Sequence, residues 1–228
     1  MHADSCSPPA ALLWDFDGTL GETEQLWWQA EARFMADLGV VETDEEARGR
    51  VGLSMADSLT VMLERAGRPD LDRVAAGDRL NRDVLEAVTA APITFRPGAR
   101  ELLSQARAAG IRCALVSQSA AVILAAATAQ LPAESFAVVL GGDQVGHPKP
   151  HPEPYLRAAA MLDVAPEHCL VIEDSPSGLA AAVSAGIPAL GVPFHGVLQA
   201  GPHQRIVPTL AGLTLDDVAT LFQEVSGA

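Results

Sequence analysis

The stretch Ala11-Leu-Leu-Trp-Asp15-Phe-Asp17-Gly18-Thr19-Leu20 decides the fold. A short apolar run that ends in a carboxylate, with a glycine three residues later, reads as a buried strand whose tip turns sharply. In a parallel sheet the carboxyl ends of the strands are where ligands bind. Two carboxylates two residues apart at such a tip can divide the work. One can serve as nucleophile or metal ligand, the other as acid and base. An ordinary Asp-Gly turn is the plain alternative for this one segment.

Outward from that strand, short apolar runs alternate with helix-period segments, the pattern of a parallel sheet covered by helices. The strands are expected at Ala11–Asp15, Ile111–Ser117, Ala137–Leu140, Cys169–Glu173 and Pro188–Val192, with helices at Ser119–Gln130, Pro152–Leu162 and Pro176–Ala185. Gly110 and Gly186 stand where a helix would close before a strand, and Pro97 and Pro176 where a helix would begin. Between the first and second strands the rhythm breaks for about ninety residues, far more than one crossover helix needs. Residues 24–92 read as helices without a strand, one of them opened by the capping pattern Ser54-Met-Ala-Asp57. The expected organisation is therefore α/β: a parallel sheet core over 1–23 and 93–228, with an all-helical cap domain inserted over 24–92.

Three further segments carry chemistry. Leu115-Val-Ser117-Gln118-Ser119 ends the second strand with a hydroxyl and with backbone N–H groups entering a helix, a setting that suits a phosphoryl oxygen and equally an ordinary helix cap. Lys149, between His147-Pro and Pro-His151-Pro, is the only lysine in a chain that otherwise writes arginine. That choice points to a position needing a compact ammonium, presented on a loop stiffened by proline. Leu170-Val-Ile-Glu173-Asp174-Ser175-Pro176 again ends a strand in acids, which repel one another unless a cation lies between them; oxygen donors alone suit Mg²⁺.

The bulk numbers limit the partners. With 228 residues, 49% of them hydrophobic, the chain can bury a real core, and its net charge of −14 repels nucleic acid and anionic membranes. Cys6, Cys113 and Cys169 show no paired spacing, so reduced thiols and a cytoplasmic location are expected. No apolar run reaches membrane-spanning length, and Met1–Pro9 lacks the regions of a signal peptide. A small phosphorylated metabolite can still be taken by so acidic a chain if a metal and a few local cations oppose the field, and a monomer is expected.

Taken in order, Asp15-Phe-Asp17-Gly-Thr-Leu, Ser117, Lys149-Pro and Glu173-Asp174-Ser-x-x-Gly resemble the four motifs of the haloacid dehalogenase superfamily, and the inserted helices resemble the cap of its phosphatase and β-phosphoglucomutase-like branch. The resemblance spans nearly the whole chain and implies a Rossmann-like core. It implies that Asp15 attacks phosphorus, that Asp17 is acid and base, that Ser117 holds a phosphoryl oxygen, and that Lys149 neutralises charge. It further implies Mg²⁺ held by Asp15, the Asp17 carbonyl and Asp174, with Glu173 in support. The presence of Asp17 departs from the dehalogenases, and the lack of a cap lysine departs from the phosphonatases. Gln118, Trp28, Gly52 and Met55 are the candidate substrate contacts, whereas Trp27, in step with Ala30, Phe34 and Leu38, reads as cap core. Arg48 and Arg50, just before the Gly52 loop, read as exposed helix charges, with contact to the substrate as the alternative. His147 and His151 lack a third nitrogen or sulfur ligand for zinc, and His195 is left without a role. A β-phosphoglucomutase-type mutase is the alternative to a phosphatase. Such mutases carry an arginine where Met55 stands and a histidine where Trp27 stands, and their cap lysine could be replaced here only by Arg79 or Arg82.

Overall fold

The structure, a computed structural model, describes residues 7–50 and 53–227. Six strands, β1 Ala11–Trp14, β2 Arg112–Val116, β3 Val138–Leu140, β4 Cys169–Glu173, β5 Ala189–Gly191 and β6 Gln204–Ile206, form one sheet in the order β3-β2-β1-β4-β5-β6. Every pairing is parallel. The chain builds outward from β1 to β3 on one side and then from β4 to β6 on the other. The boundary between β1 and β4 is therefore the switch point at which sheets of this kind open a crevice.

Alternation along the strands divides the core into two layers. Leu12, Trp14, Leu115, Leu170 and Ile172 point to one face, and Leu13, Ala114, Val116 and Val171 to the other. The second face is covered by α7 Glu153–Met161 and α8 Pro176–Ser184, through Tyr155, Ala158, Leu179 and Ala182. The first is covered by α5 Ala99–Ala108, α6 Ala121–Thr128 and α9 Leu215–Ser226. Between β1 and α5 lie α1 Glu24–Asp37, α2 Asp44–Arg48, α3 Met55–Arg65 and α4 Arg73–Ala90, with no named strand among the described residues there. Their apolar faces (Phe34, Leu59, Met62, Leu80 and Val84) join the same continuous cluster as Trp14 and Phe16. The helical segment is thus packed onto the sheet layer and shares its core.

Expected and observed elements agree to within two residues for the five expected strands and the three expected helices. Gly110 and Gly186 close their helices in the left-handed region. Ser54 caps α3 by accepting the Asp57 N–H, but its own hydroxyl donates to Asp57 Oδ2 at 2.7 Å. Pro97 does not begin a helix: Gly98 takes a left-handed conformation and α5 starts one residue later. An added Cβ at Gly98 would lie 2.1 Å from the Leu210 carbonyl oxygen, so the approach of that neighbouring loop fixes the glycine.

Candidate active site

Strand register assembles the site. Trp14 lies opposite Leu115 on one side and Ile172 on the other, so the next residue, Asp15, stands level with the ends of β2 and β4. Asp15, Ser117, Glu173 and Asp174 therefore meet at one edge although they are far apart in sequence. Lys149 reaches the same point from the loop before α7. Its Nζ donates to Asp15 Oδ1 at 2.7 Å, Glu173 Oε1 at 2.6 Å and the Val116 carbonyl at 2.9 Å. These three acceptors match the three N–H bonds of an ammonium. Burial works against the charge on Lys149, yet the adjacent Asp15 and Glu173 carboxylates outweigh it and hold its pKa above the usual lysine range.

Glu173 is fully buried and its four acceptor positions are filled. Oε1 takes Lys149 and the Tyr155 hydroxyl (2.8 Å), and Oε2 takes the Ser175 N–H (3.0 Å) and hydroxyl (2.8 Å). Gly178 exists for this carboxylate, since a Cβ there would fall 1.7 Å from Glu173 Oε1. Burial pushes the Glu173 pKa up, but Lys149, the Ser175 N–H and the Tyr155 hydroxyl together outweigh it and the net displacement is downward. Asp174 instead lies against the Asp17–Gly18 turn. Its Oδ1 accepts from Thr19 Oγ1 at 3.1 Å, and a Cβ on Gly18 would sit 2.2 Å from its Oδ2.

Asp17 also receives four hydrogen bonds. Oδ1 accepts from Thr23 Oγ1 at 2.6 Å and Trp27 Nε1 at 3.1 Å, and Oδ2 from Ser117 Oγ at 2.9 Å and Ser119 Oγ at 2.7 Å. The site takes these hydroxyls away from their helices. Thr23 is the N-cap of α1 and makes no side-chain cap bond, and α6 begins after Ala120, which has none to offer. Ser117 and Ser119 are accordingly not helix caps. A cap bond contributes about 1 kcal/mol, so α1 forgoes stabilisation of that order to hold this carboxylate, whereas the first N–H of α6 donates to Asp143 Oδ1 at 2.9 Å instead.

Charge defines what this edge can bind. Asp15, Glu173 and Asp174 present buried ligand oxygens within 4.8 Å of one another, faced by the single ammonium of Lys149. Burial raises the Asp15 pKa to about 8, against the pull of Lys149 and with the charges of Glu173 and Asp17 adding to the rise. Burial, followed by the charges of Asp15, Glu173 and Glu24, pushes Asp174 well above the usual carboxylate range. Three carboxylates against one ammonium leave an excess that one divalent cation would balance. Because Glu173 is saturated, Asp15 and Asp174 are the carboxylates able to face such a cation directly.

One cavity opens from this edge between the sheet and the helical segment. Of the residues expected from sequence it gathers Asp15, Asp17, Trp28, Met55, Ser117, Gln118, Lys149 and Asp174; Glu173 lies beneath it. Gly52 lies outside the described residues, as does the side chain of Arg48. Glu24 and Glu31, which carried no mark in the sequence, also line it, as does Ser119, which read as a helix cap. Trp27 is more than cap core: it packs against the apolar cluster and turns its N–H to Asp17. Arg50 is not an exposed charge but is buried between Glu31 and Glu42. Glu24 has its pKa raised to about 7, chiefly by burial, and its Oε2 lies 2.9 Å from His195 Nε2. His195 in turn stacks beside Trp28, at 5.1 Å between ring centroids. Arg79 pairs with Asp37 and lies over the Phe34 ring, Arg82 is exposed, and neither lines the cavity. His147 and His151 are joined by a carboxylate, Glu153, which also accepts the Gly146 and His147 N–H groups and so closes the loop that carries Lys149.

Comparison with known proteins places this geometry in a family. Residues 12–192 match the model of the haloacid dehalogenase-like hydrolases, and the chain belongs to that family. It is 32% identical over 186 residues to protein CbbY of Rhodobacter capsulatus, covering 78% of this chain and 82% of that one. It is also 32% identical over 205 residues to a phosphorylated carbohydrates phosphatase of Thermotoga maritima, covering 87% and 94%. Among solved structures, mutant CbbY from Rhodobacter sphaeroides in complex with xylulose-(1,5)bisphosphate superposes with a TM-score of 0.76 at 27% identity, covering 90% of this chain and 96% of that one. As an enzyme the chain falls with the phosphoric monoester hydrolases of this family.

Proposed function

We propose that the chain is a Mg²⁺-dependent phosphatase that hydrolyses the monoester of a small phosphorylated sugar or similar metabolite through an aspartyl-phosphate on Asp15. The observation that carries this reading is the buried contact of Lys149 Nζ with Asp15 Oδ1 at 2.7 Å, at the head of a cavity that also holds Asp17, Ser117 and Asp174. Phosphoryl transfer consists mostly of positioning and charge neutralisation, and these groups supply both. An Asp15 oxygen attacks phosphorus and the bond to the leaving oxygen breaks, while Asp17 donates a proton to that oxygen. Asp17 then takes a proton from water, whose oxygen attacks phosphorus to release inorganic phosphate and restore Asp15. Lys149 stays between Asp15 and the phosphoryl oxygens, and its contact with Glu173 fixes it there. Ser117 gives its hydroxyl to a phosphoryl oxygen, which removes one of the four donors from Asp17.

Asp15, the Asp17 carbonyl and Asp174 would hold Mg²⁺, which when bound neutralises the phosphoryl oxygens. In this reading residues 24–92 act as a cap over a core formed by 1–23 and 93–228. A cytoplasmic setting fits the free, buried thiols of Cys113 and Cys169. Against the mutase alternative stands the position of Arg79 and Arg82, neither of which lines the cavity. A panel of phosphorylated metabolites assayed for phosphate release, with Mg²⁺ and with excess EDTA, tests the proposal. Turnover of sugar monophosphates only with the metal is expected. Steady conversion of β-glucose 1-phosphate to glucose 6-phosphate, faster than phosphate release, would contradict it.

A further inference from the structure

Arg50 is the one cation besides Lys149 among the described residues lining the cavity. It would be the obvious clamp for a second anionic group on a substrate. An arginine has five N–H donors, and all five are engaged. Nε and Nη2 donate to Glu31 Oε2 at 3.3 and 2.8 Å. Nη1 donates to Glu42 Oε1 at 2.5 Å and to the Glu46 carbonyl at 3.4 Å, and Nη2 to Glu42 Oε2 at 2.9 Å. The guanidinium and both glutamate side chains are nearly excluded from solvent. Two carboxylates on one guanidinium leave the cluster with a net negative charge, and Glu31 and the engaged Arg50 are the members that reach the cavity, with Glu42 behind them.

Resting on the phosphatase reading above, we propose that this end of the cavity selects monoesters with an uncharged, hydroxyl-bearing tail and rejects those whose tail carries a second negative charge. The described lining residues include five carboxylates and two cations. A divalent cation and a phosphoryl dianion offset each other, so the tail meets the remaining excess of negative charge in a poorly screened setting. Both Arg50 bonds to Glu31 fall on Oε2, which leaves acceptor capacity on Oε1 for a hydroxyl. Trp27, Trp28, Leu53 and Met55 supply apolar walls for the C–H faces of a carbohydrate skeleton. The CbbY complex holds a bisphosphate; this chain should discriminate against one.

The test compares kcat/KM on glucitol 6-phosphate and 6-phosphogluconate, which differ only in a CH₂OH against a carboxylate at the far end. Glucitol 6-phosphate should be favoured by about ten-fold or more. Glu31→Gln brings the Glu31–Arg50–Glu42 cluster at the tail end of the cavity to neutrality and should shrink that ratio to below about three-fold. Glu42→Gln makes the same change from behind the arginine, and serves if the first variant does not fold. Equal or better turnover of 6-phosphogluconate by the wild type would overturn the selectivity, as would an unchanged ratio in a folded variant. If neither ester nor para-nitrophenyl phosphate releases phosphate, the phosphatase reading fails and this inference with it. Release from para-nitrophenyl phosphate with 6-phosphogluconate preferred overturns the selectivity alone.

Discussion

Replacing Lys149 with alanine should damage both stability and turnover, and the structure sets the scale. The change removes the partner of two buried carboxylates, Asp15 and Glu173, and leaves the Val116 carbonyl without its donor. Breaking a buried ion pair by deleting one partner costs about 3–5 kcal/mol. In a chain of this size each kcal/mol moves the melting temperature by roughly 2–4 °C, so a fall of roughly 6–20 °C is expected. Protonation would relieve the stranded carboxylates, so the loss should be larger at pH 8 than at pH 5. Lys149→Arg should rescue neither property well, because a planar fork cannot occupy a pocket shaped around three acceptors of a point charge. Arg79→Ala, which removes a surface pair with Asp37, should cost at most about 1 kcal/mol. The assay is a thermal melt by circular dichroism at both pH values, together with phosphate release. An arginine variant within threefold of wild-type kinetics and with an unchanged melting temperature would refute the reasoning.

Metal and pH should act together. Asp15 has a folded pKa of about 8 against an ordinary value of 3.8, so metal-free protein holds a proton there that the unfolded chain releases. Its stability should therefore fall as pH rises from about 4 to about 8. Mg²⁺ at about a hundred times its dissociation constant should add about 2.7 kcal/mol at pH 8 and less at pH 5.5; melting curves with and without the metal would show the opposite order if the carboxylate cluster is not where it binds. Trp27→Phe keeps the apolar packing and deletes one donor to Asp17. It should lower kcat roughly tenfold with KM little changed, as expected for one hydrogen bond to a charged group of about 1.5 kcal/mol. Unaltered kcat would return Trp27 to a packing role.

The sequence made the catalytic edge legible because each of its residues closes an apolar strand or stands alone by type. Asp15 and Glu173 end short apolar runs that read as buried strands, and Lys149 is conspicuous as a single lysine. What stayed hidden was tertiary or amphipathic. Periodicity placed Trp27 on the apolar stripe, where its ring does pack, but periodicity is silent about the N–H at the ring's edge. Glu31, Glu42 and Arg50 are scattered through an acid-rich helical segment, and no spacing rule marks three charges from separate elements as one buried cluster. The serines after β2 read equally well as caps until the structure turned their hydroxyls to Asp17. Strand β6, with Gln204 and Ile206 half-buried around an exposed Arg205, has no apolar run to mark it, whereas α9 was legible in principle from the Thr214–Asp217 capping box and the helical spacing of Val218, Ala219, Phe222 and Val225.

The central claim is that Asp15 forms a covalent bond to phosphorus. Asp15→Asn tests it most directly, because the amide is close in shape and can still occupy the edge of the sheet but cannot form an acyl phosphate. With a monophosphate that the wild type turns over, and with the fold verified by circular dichroism, phosphate release by the variant should fall by about 10⁴-fold or more. A folded Asp15→Asn protein that retains more than about a hundredth of the wild-type rate would contradict the account.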